Sequence, residues 1–222
     1  MRAVPDEKRP GGAVVLVHGL WMKGLELRWL GLRLAHCGFD PHYFHYLSLQ
    51  QSPAEGASEL AGFIRALGAS RLHLVAHSLG GIVLLHLFER LAELPPGRVV
   101  LLGCPVLGSG VARVAADKPW LRPLLGRNLE QGLMGDAPRW NHARELGVIA
   151  GTRGVGLGRL VGGLRGRGDG TVSLCETRLP GAKDFCSLRV NHMGMVLSSL
   201  VARETCNFLH YGRFLKGQGP IR

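Results

Sequence analysis

Ala76-His77-Ser78-Leu79-Gly80 sets a serine between an apolar run that suits a buried strand (Leu72, Leu74, Val75) and one that suits a helix (Ile82, Val83, Leu84, Leu85). The small residues Ala76 and Gly80 let strand and helix close tightly around Ser78, which is the arrangement of a nucleophile elbow. Its hydroxyl then stands over the sheet edge, at the positive end of the following helix. A serine nucleophile needs that place. An ordinary helix N-cap serine would leave the same five-residue pattern. The strand before it and the helix after it favour the nucleophile.

Outward from this turn, the chain alternates strand and helix. That order predicts an α/β fold, a mostly parallel sheet of about six strands with helices on both faces. Ala13–Val17 is continuously apolar, as suits a strand buried on both sides. Further strands are expected at 41–47, 72–76, 99–102, 148–150 and 185–190. Leu27, Leu30 and Leu34 form a helical stripe that stops at Gly38, and Ala57, Leu60, Ile64 and Leu67 form another that stops at Gly68. A last helix is expected through Val196, Leu200, Val201 and Phe208.

Two stretches stand apart within this one expected domain of residues 1–222. Residues 107–141 form a partly helical, cap-like insertion broken by Pro119, Pro123 and Pro138. Residues 151–170 are dense in glycine, with Arg153, Arg159, Arg165 and Arg167 between, and are expected to be a flexible loop.

Composition narrows the class. A chain of 222 residues with 46% hydrophobic and 19% charged residues suits one well-cored domain rather than a disordered polymer. No apolar run approaches the roughly 18 residues that span a bilayer. The opening Met1-Arg2-Ala3-Val4-Pro5-Asp6 lacks the apolar core of a signal peptide, so a cytoplasmic location is expected. Five cysteines (Cys37, Cys104, Cys175, Cys186, Cys206) lack metal-ligand spacing and are expected to be reduced, with no disulfide. The net charge of +11 invites a nucleic-acid partner. Scattered arginines with no recognition helix and no basic run interleaved with aromatics argue against one. A solvated basic surface is the plain reading, and peripheral contact with an anionic membrane surface is the alternative.

A serine hydroxyl needs a base within hydrogen-bond reach, itself oriented by a carboxylate. In a doubly wound sheet those partners lie just after strands, on the shared carboxyl face. Downstream of Ser78, His86 lies along the elbow helix, His142 precedes a strand and His210 ends the last helix. His192 directly follows the last strand and is the expected base. Asp169, in Gly168-Asp169-Gly170-Thr171-Val172, is the expected carboxylate. Asp184 sits at the wrong end of the last strand, and Asp136 and Asp117 are weaker candidates. The oxyanion needs two backbone donors. Leu79 N–H, at the helix start, is one; Leu20 N–H, in His18-Gly19-Leu20-Trp21, is the other. Gly19 permits an unusual backbone there, and His18 is expected to hold the loop's shape. Trp21, Val106 and Leu107, with Leu20 and Leu79, form the expected apolar substrate pocket.

These blocks together resemble the α/β-hydrolase superfamily, in particular small bacterial lipases and esterases. The matching parts are Val15-Leu16-Val17-His18-Gly19, Ala76 to Gly81, Leu102-Gly103-Cys104-Pro105 with Gly108-Ser109, Asp169-Gly170-Thr171-Val172, and His192. The Ser, Asp, His order is that of the superfamily. The resemblance implies a minimal core, no metal or organic cofactor, and hydrolysis of an acyl ester. It leaves open thioester hydrolysis or acyl transfer by the same triad, and a binding module that retained the fold without catalysis.

Overall fold

Residues 11–91 and 93–217 are described in a computed structural model of the chain; the opening Met1 to Asp6 lies outside them. Six strands form one sheet: β1 (Ala13–Val17), β2 (Asp40–Phe44), β3 (Leu72–His77), β4 (Val99–Leu102), β5 (Leu146–Gly151) and β6 (Asp184–Leu188). Their order is β2-β1-β3-β4-β5-β6, and every neighbouring pair is parallel. The chain order reverses between β1 and β3. Such a reversal opens a crevice at the carboxyl ends of the strands.

Alternation along the strands divides the core in two. Val15, Val17, Leu74, Ala76, Leu101 and Val148 pack on one face, under α2 (Pro53–Leu67) and α3 (Leu79–Arg90). Val14, Leu16, Val75, Val100, Leu102 and Ile149 pack on the other, under α1 (Arg28–His36) and the C-terminal helix. Both faces are covered, so β1 and β4 read as unbroken apolar runs. The α/β class and the six strands stand as expected.

Boundaries differ by a few residues. β2 ends at Phe44 rather than at 47, because Tyr46 turns inward to hydrogen-bond the end of β1. The expected single C-terminal helix is two. After α4 (Gly110–Ala116), α5 (Leu157–Val161) and α6 (Leu174–Thr177), a short α7 (Gly194–Leu197) is followed by α8 (Ser199–Tyr211). The break falls at Ser198, whose extended backbone and side chain cap α8 by accepting from Val201 N–H. The Gly/Arg-rich stretch holds α5, so it is not loop throughout. Residues 107–141 hold α4 and short irregular helical turns, and lie over α3 through Leu79, Ile82, Ala115, Leu121 and Leu125.

Reduced cysteines were the expectation, and two of the five are paired. Cys37, at the end of α1, is joined to Cys206 on α8, 169 residues later, while Cys104, Cys175 and Cys186 are free. α1 and α8 lie side by side on one sheet face, a proximity no local pattern announces. Closing so long a loop contributes about 5 kcal/mol by the chain-entropy argument. Paired thiols also remove one ground for a cytoplasmic location. Among the described residues no helix is long and apolar enough to cross a membrane.

His73 on β3 makes stability pH-dependent. It is buried against Phe39, and its Nδ1 accepts from Arg98 N–H. Burial, with Arg71, Arg98 and Arg144 nearby, lowers its pKa to about 4. In the window between about 6.5 and 4 the unfolded chain binds the proton and the folded chain does not, so stability falls as pH falls. The loss across it is about 3 kcal/mol from this group. Urea unfolding at pH 7 and at pH 4.5 should show that loss, and His73→Gln should remove much of it. Equal pH dependence in both proteins would refute the assignment.

Candidate active site

Ser78 is the single residue between β3 and α3, with φ 54° and ψ −125°, a backbone L-residues rarely adopt. Strand and helix must pass very close for that turn to form. A Cβ on Gly80 would stand 2.7 Å from the carbonyl oxygens of Val17 and His18, so β1 and α3 meet only through glycine. Although Ser78 occupies the N-cap position, its side chain caps no amide of α3. Its Oγ lies 3.0 Å from His192 Nε2 instead. The ordinary-cap alternative is therefore excluded.

His192 follows β6, and the other side of its ring is held by Asp169. Nδ1 lies 2.7 Å from Asp169 Oδ2. The second carboxylate oxygen, Oδ1, accepts from Thr171 N–H at 2.9 Å and Val172 N–H at 2.7 Å. His192 N–H donates to the Asp169 carbonyl. With the carboxylate an acceptor only, Nδ1 carries the hydrogen, and Nε2 presents a lone pair to the Ser78 hydroxyl. Asp169 is 1% exposed, so this geometry is shielded from water.

The competing carboxylates lie elsewhere. Asp184 accepts from Phe214 N–H and pins the C-terminal strap at the opposite end of β6. Asp136 accepts from Gln131 and Gly132 N–H, and Asp117 caps the end of α4. His86 bonds to the Gln131 carbonyl, and His210 to the Cys37 carbonyl.

Leu20 follows β1 and Leu79 opens α3; both border the same cavity as Ser78 and His192. The loop carrying Leu20 is braced from several sides. His18 Nδ1 bonds to the Gly19 carbonyl, and its Nε2 accepts from Tyr46 N–H. Burial lowers its pKa, which keeps the ring neutral and able to serve as donor and acceptor. Trp21 N–H donates to Ser48 Oγ, and the Trp21 indole donates to the Leu124 carbonyl at 2.7 Å. A Cβ on Gly19 would come within 2.8 Å of Ser78 Cβ.

One neighbour of the site was not singled out in the sequence. His77 is completely buried, its Nε2–H donates to the His192 carbonyl at 3.1 Å, and its ring lies 4.7 Å from the His192 ring. Burial holds its pKa well below the ordinary value, so it braces the His192 loop without adding charge. A polar residue closing a buried strand directly before the elbow serine is the signal for it.

The cavity beside Ser78 has a volume of about 360 Å³ and is mostly apolar. Leu20, Trp21 and Leu79 border it, Ala112, Leu121 and Leu125 come from the cap-like segment, and Val155 from the Gly/Arg-rich stretch. Val106 and Leu107 do not border it, contrary to expectation. The tight turn after β4 sends Val106 into the core and Leu107 toward solvent, leaving Pro105 and Ser109 at the cavity. A larger open groove of about 750 Å³ along Ser52, Arg122 and Arg127 touches none of Ser78, His192 or Asp169. Among the described residues no group of three or more His, Cys, Asp or Glu is placed to hold a metal ion.

The model of the family described as "Alpha/beta hydrolase family" matches residues 14–188. The chain belongs to that family. This hydrolase shares its fold with the mature lipase BlEst2 of Bacillus licheniformis, at a TM-score of 0.68 and 21% identity, over 89% of this chain and 90% of that one. Carboxylesterase CesB of Bacillus subtilis superposes with a TM-score of 0.61 at 12% identity, over 94% and 85% of the two chains. Among curated proteins, RutD of Pantoea ananatis, named for carbamate hydrolysis, is 51% identical over 57 residues. That match spans 26% of this chain and about a fifth of RutD.

Proposed function

We propose that this hydrolase cleaves carboxylic esters of apolar acyl chains, using Ser78 as nucleophile, His192 as general base and acid, and Asp169 to orient His192. The observation that carries the reading is the continuous line of hydrogen bonds from Asp169 through His192 to a strained serine at the edge of an apolar cavity.

Ser78 Oγ attacks the ester carbonyl carbon while His192 Nε2 takes the hydroxyl proton. Asp169 stabilises the imidazolium that forms. The tetrahedral oxyanion is held by the Leu20 and Leu79 amides, each worth about 3 kcal/mol of the barrier. His192 then gives its proton to the departing alkoxide, and an acyl-Ser78 ester remains. Water loses a proton to the same Nε2, attacks that ester, and releases the acid as Ser78 regains its hydrogen.

The cavity lining favours an acyl group over a charged or sugar moiety, because burying such a group without partners is costly. It also favours an ester over a small polar carbamate. An alcohol, amine or thiol in place of water would make the same acyl-enzyme a transferase intermediate, and a thioester would enter it by the same attack. Product partition with and without added alcohol separates transfer from hydrolysis.

A fluorophosphonate tests the core of the reading. Its phosphorus forms a bond to the serine oxygen and expels fluoride. One label per chain, mapped to the peptide containing Ser78 and abolishing p-nitrophenyl ester turnover, is the expected result. A label on any other residue would overturn the assignment.

A further inference from the structure

We propose that the mouth of the cavity is a docking surface for an anionic lipid layer. Four residues that border the cavity are also about half exposed: Trp21 at 51%, Leu124 at 49%, Val155 at 57% and Met193 at 52%. They form an apolar rim rather than a closed wall. Two larger exposures adjoin it. Trp120, 73% exposed, directly precedes the wall residue Leu121, and Leu160, 85% exposed, directly precedes the wall residue Val161. The segments bearing them are tied together by Lys118 Nζ, which donates to the Val161 carbonyl. The Trp21 indole ties the other side of the rim to Leu124.

Charge identifies the occupant. In the chain, Lys118 and Arg122 flank Trp120 and Leu121, and Arg159 and Arg165 flank Leu160 and Val161, so cations stand on either side of the exposed apolar residues. Arg122, Arg159, Arg165 and Arg167 are exposed, and none is ion-paired among the described residues. Exposed Trp and Leu with unpaired arginines beside them in the chain match a headgroup layer, where indole rings settle at the interface and each cation near the surface adds attraction. A nucleic acid fits less well, because Leu160 and Val155 have no face on which a base stacks.

Such docking sets the open end of the cavity against the lipid, so that an acyl chain can pass from the layer toward Ser78 without crossing water. It does not depend on the catalytic reading, since Ser78→Ala leaves the rim intact.

Cosedimentation of the full chain with vesicles tests it, using phosphatidylcholine alone and phosphatidylcholine mixed two to one with phosphatidylglycerol. At low salt, partition onto the mixed vesicles should be about tenfold or more above that onto phosphatidylcholine, and should fall as salt rises. Ser78→Ala should bind as the wild type does. Trp120→Ala with Leu160→Ala, and separately Arg159→Glu with Arg165→Glu, should each weaken partition about tenfold. None of these four residues borders the cavity, so the thermal midpoint is expected to be unchanged. Equal partition onto both vesicles overturns the proposal, as does binding indifferent to both pairs of substitutions. Competition in which duplex DNA strips the protein from the mixed vesicles at equal charge assigns the surface to nucleic acid instead.

Discussion

Ser78→Ala lowers kcat/KM for a short p-nitrophenyl ester by about 10⁴- to 10⁶-fold and leaves the thermal midpoint close to that of the wild type. The two halves of the expectation have different origins. Activity collapses because, among the described residues, no other hydroxyl bonds to His192 Nε2, and an acyl-enzyme cannot form without it. Stability is spared because the hydroxyl caps no backbone amide of α3, so its removal exposes no helix end. The strained backbone at φ 54° remains in either protein, since alanine is no better suited to it than serine. Residual turnover owes its existence to the Leu20 and Leu79 amides and to binding. A variant retaining a tenth of wild-type turnover would show that Ser78 is not the nucleophile.

Asp169→Asn should cost about 10⁴-fold in kcat with little change in KM. The reason lies in what the carboxylate already holds. Asp169 Oδ1 receives the N–H groups of Thr171 and Val172, and only an oxygen can satisfy both. In the asparagine variant the amide oxygen must remain there, which turns the NH₂ toward His192 Nδ1. That nitrogen becomes the acceptor, and the ring hydrogen moves to Nε2, where it faces Ser78. A histidine in that tautomer cannot take the serine proton. The protein should fold, because every buried partner is still satisfied. A pH–rate profile and kcat within tenfold of the wild type would mean that the Asp169–His192 contact is structural rather than part of the proton transfer.

The fold was legible because its signals are local. Ala13–Val17 and Val99–Leu102 are apolar without alternation, which only a sheet covered on both faces requires. Ser78, Asp169 and His192 could be selected because each follows a strand, and parallel strands deliver their ends to one side. Val106 and Leu107 lie off the cavity because adjacent residues in a tight turn point in different directions, and proximity in sequence to the site says nothing of which way they face.

What the order of residues alone determined was the alternation of strand and helix, the elbow at Ser78 and the parallel sheet, since these follow from periodicity and from glycine where chain must touch chain. Tertiary structure decided the rest. The Cys37–Cys206 bridge joins helices 169 residues apart, His77 acquires its role only where it meets the His192 carbonyl, and the cavity draws its walls from the start of α3, the loops after β1 and β6, and residues of the 107–141 and 151–170 stretches. Each depends on packing between parts far apart in the chain, where the free energy comes from burial against a partner that no local window contains.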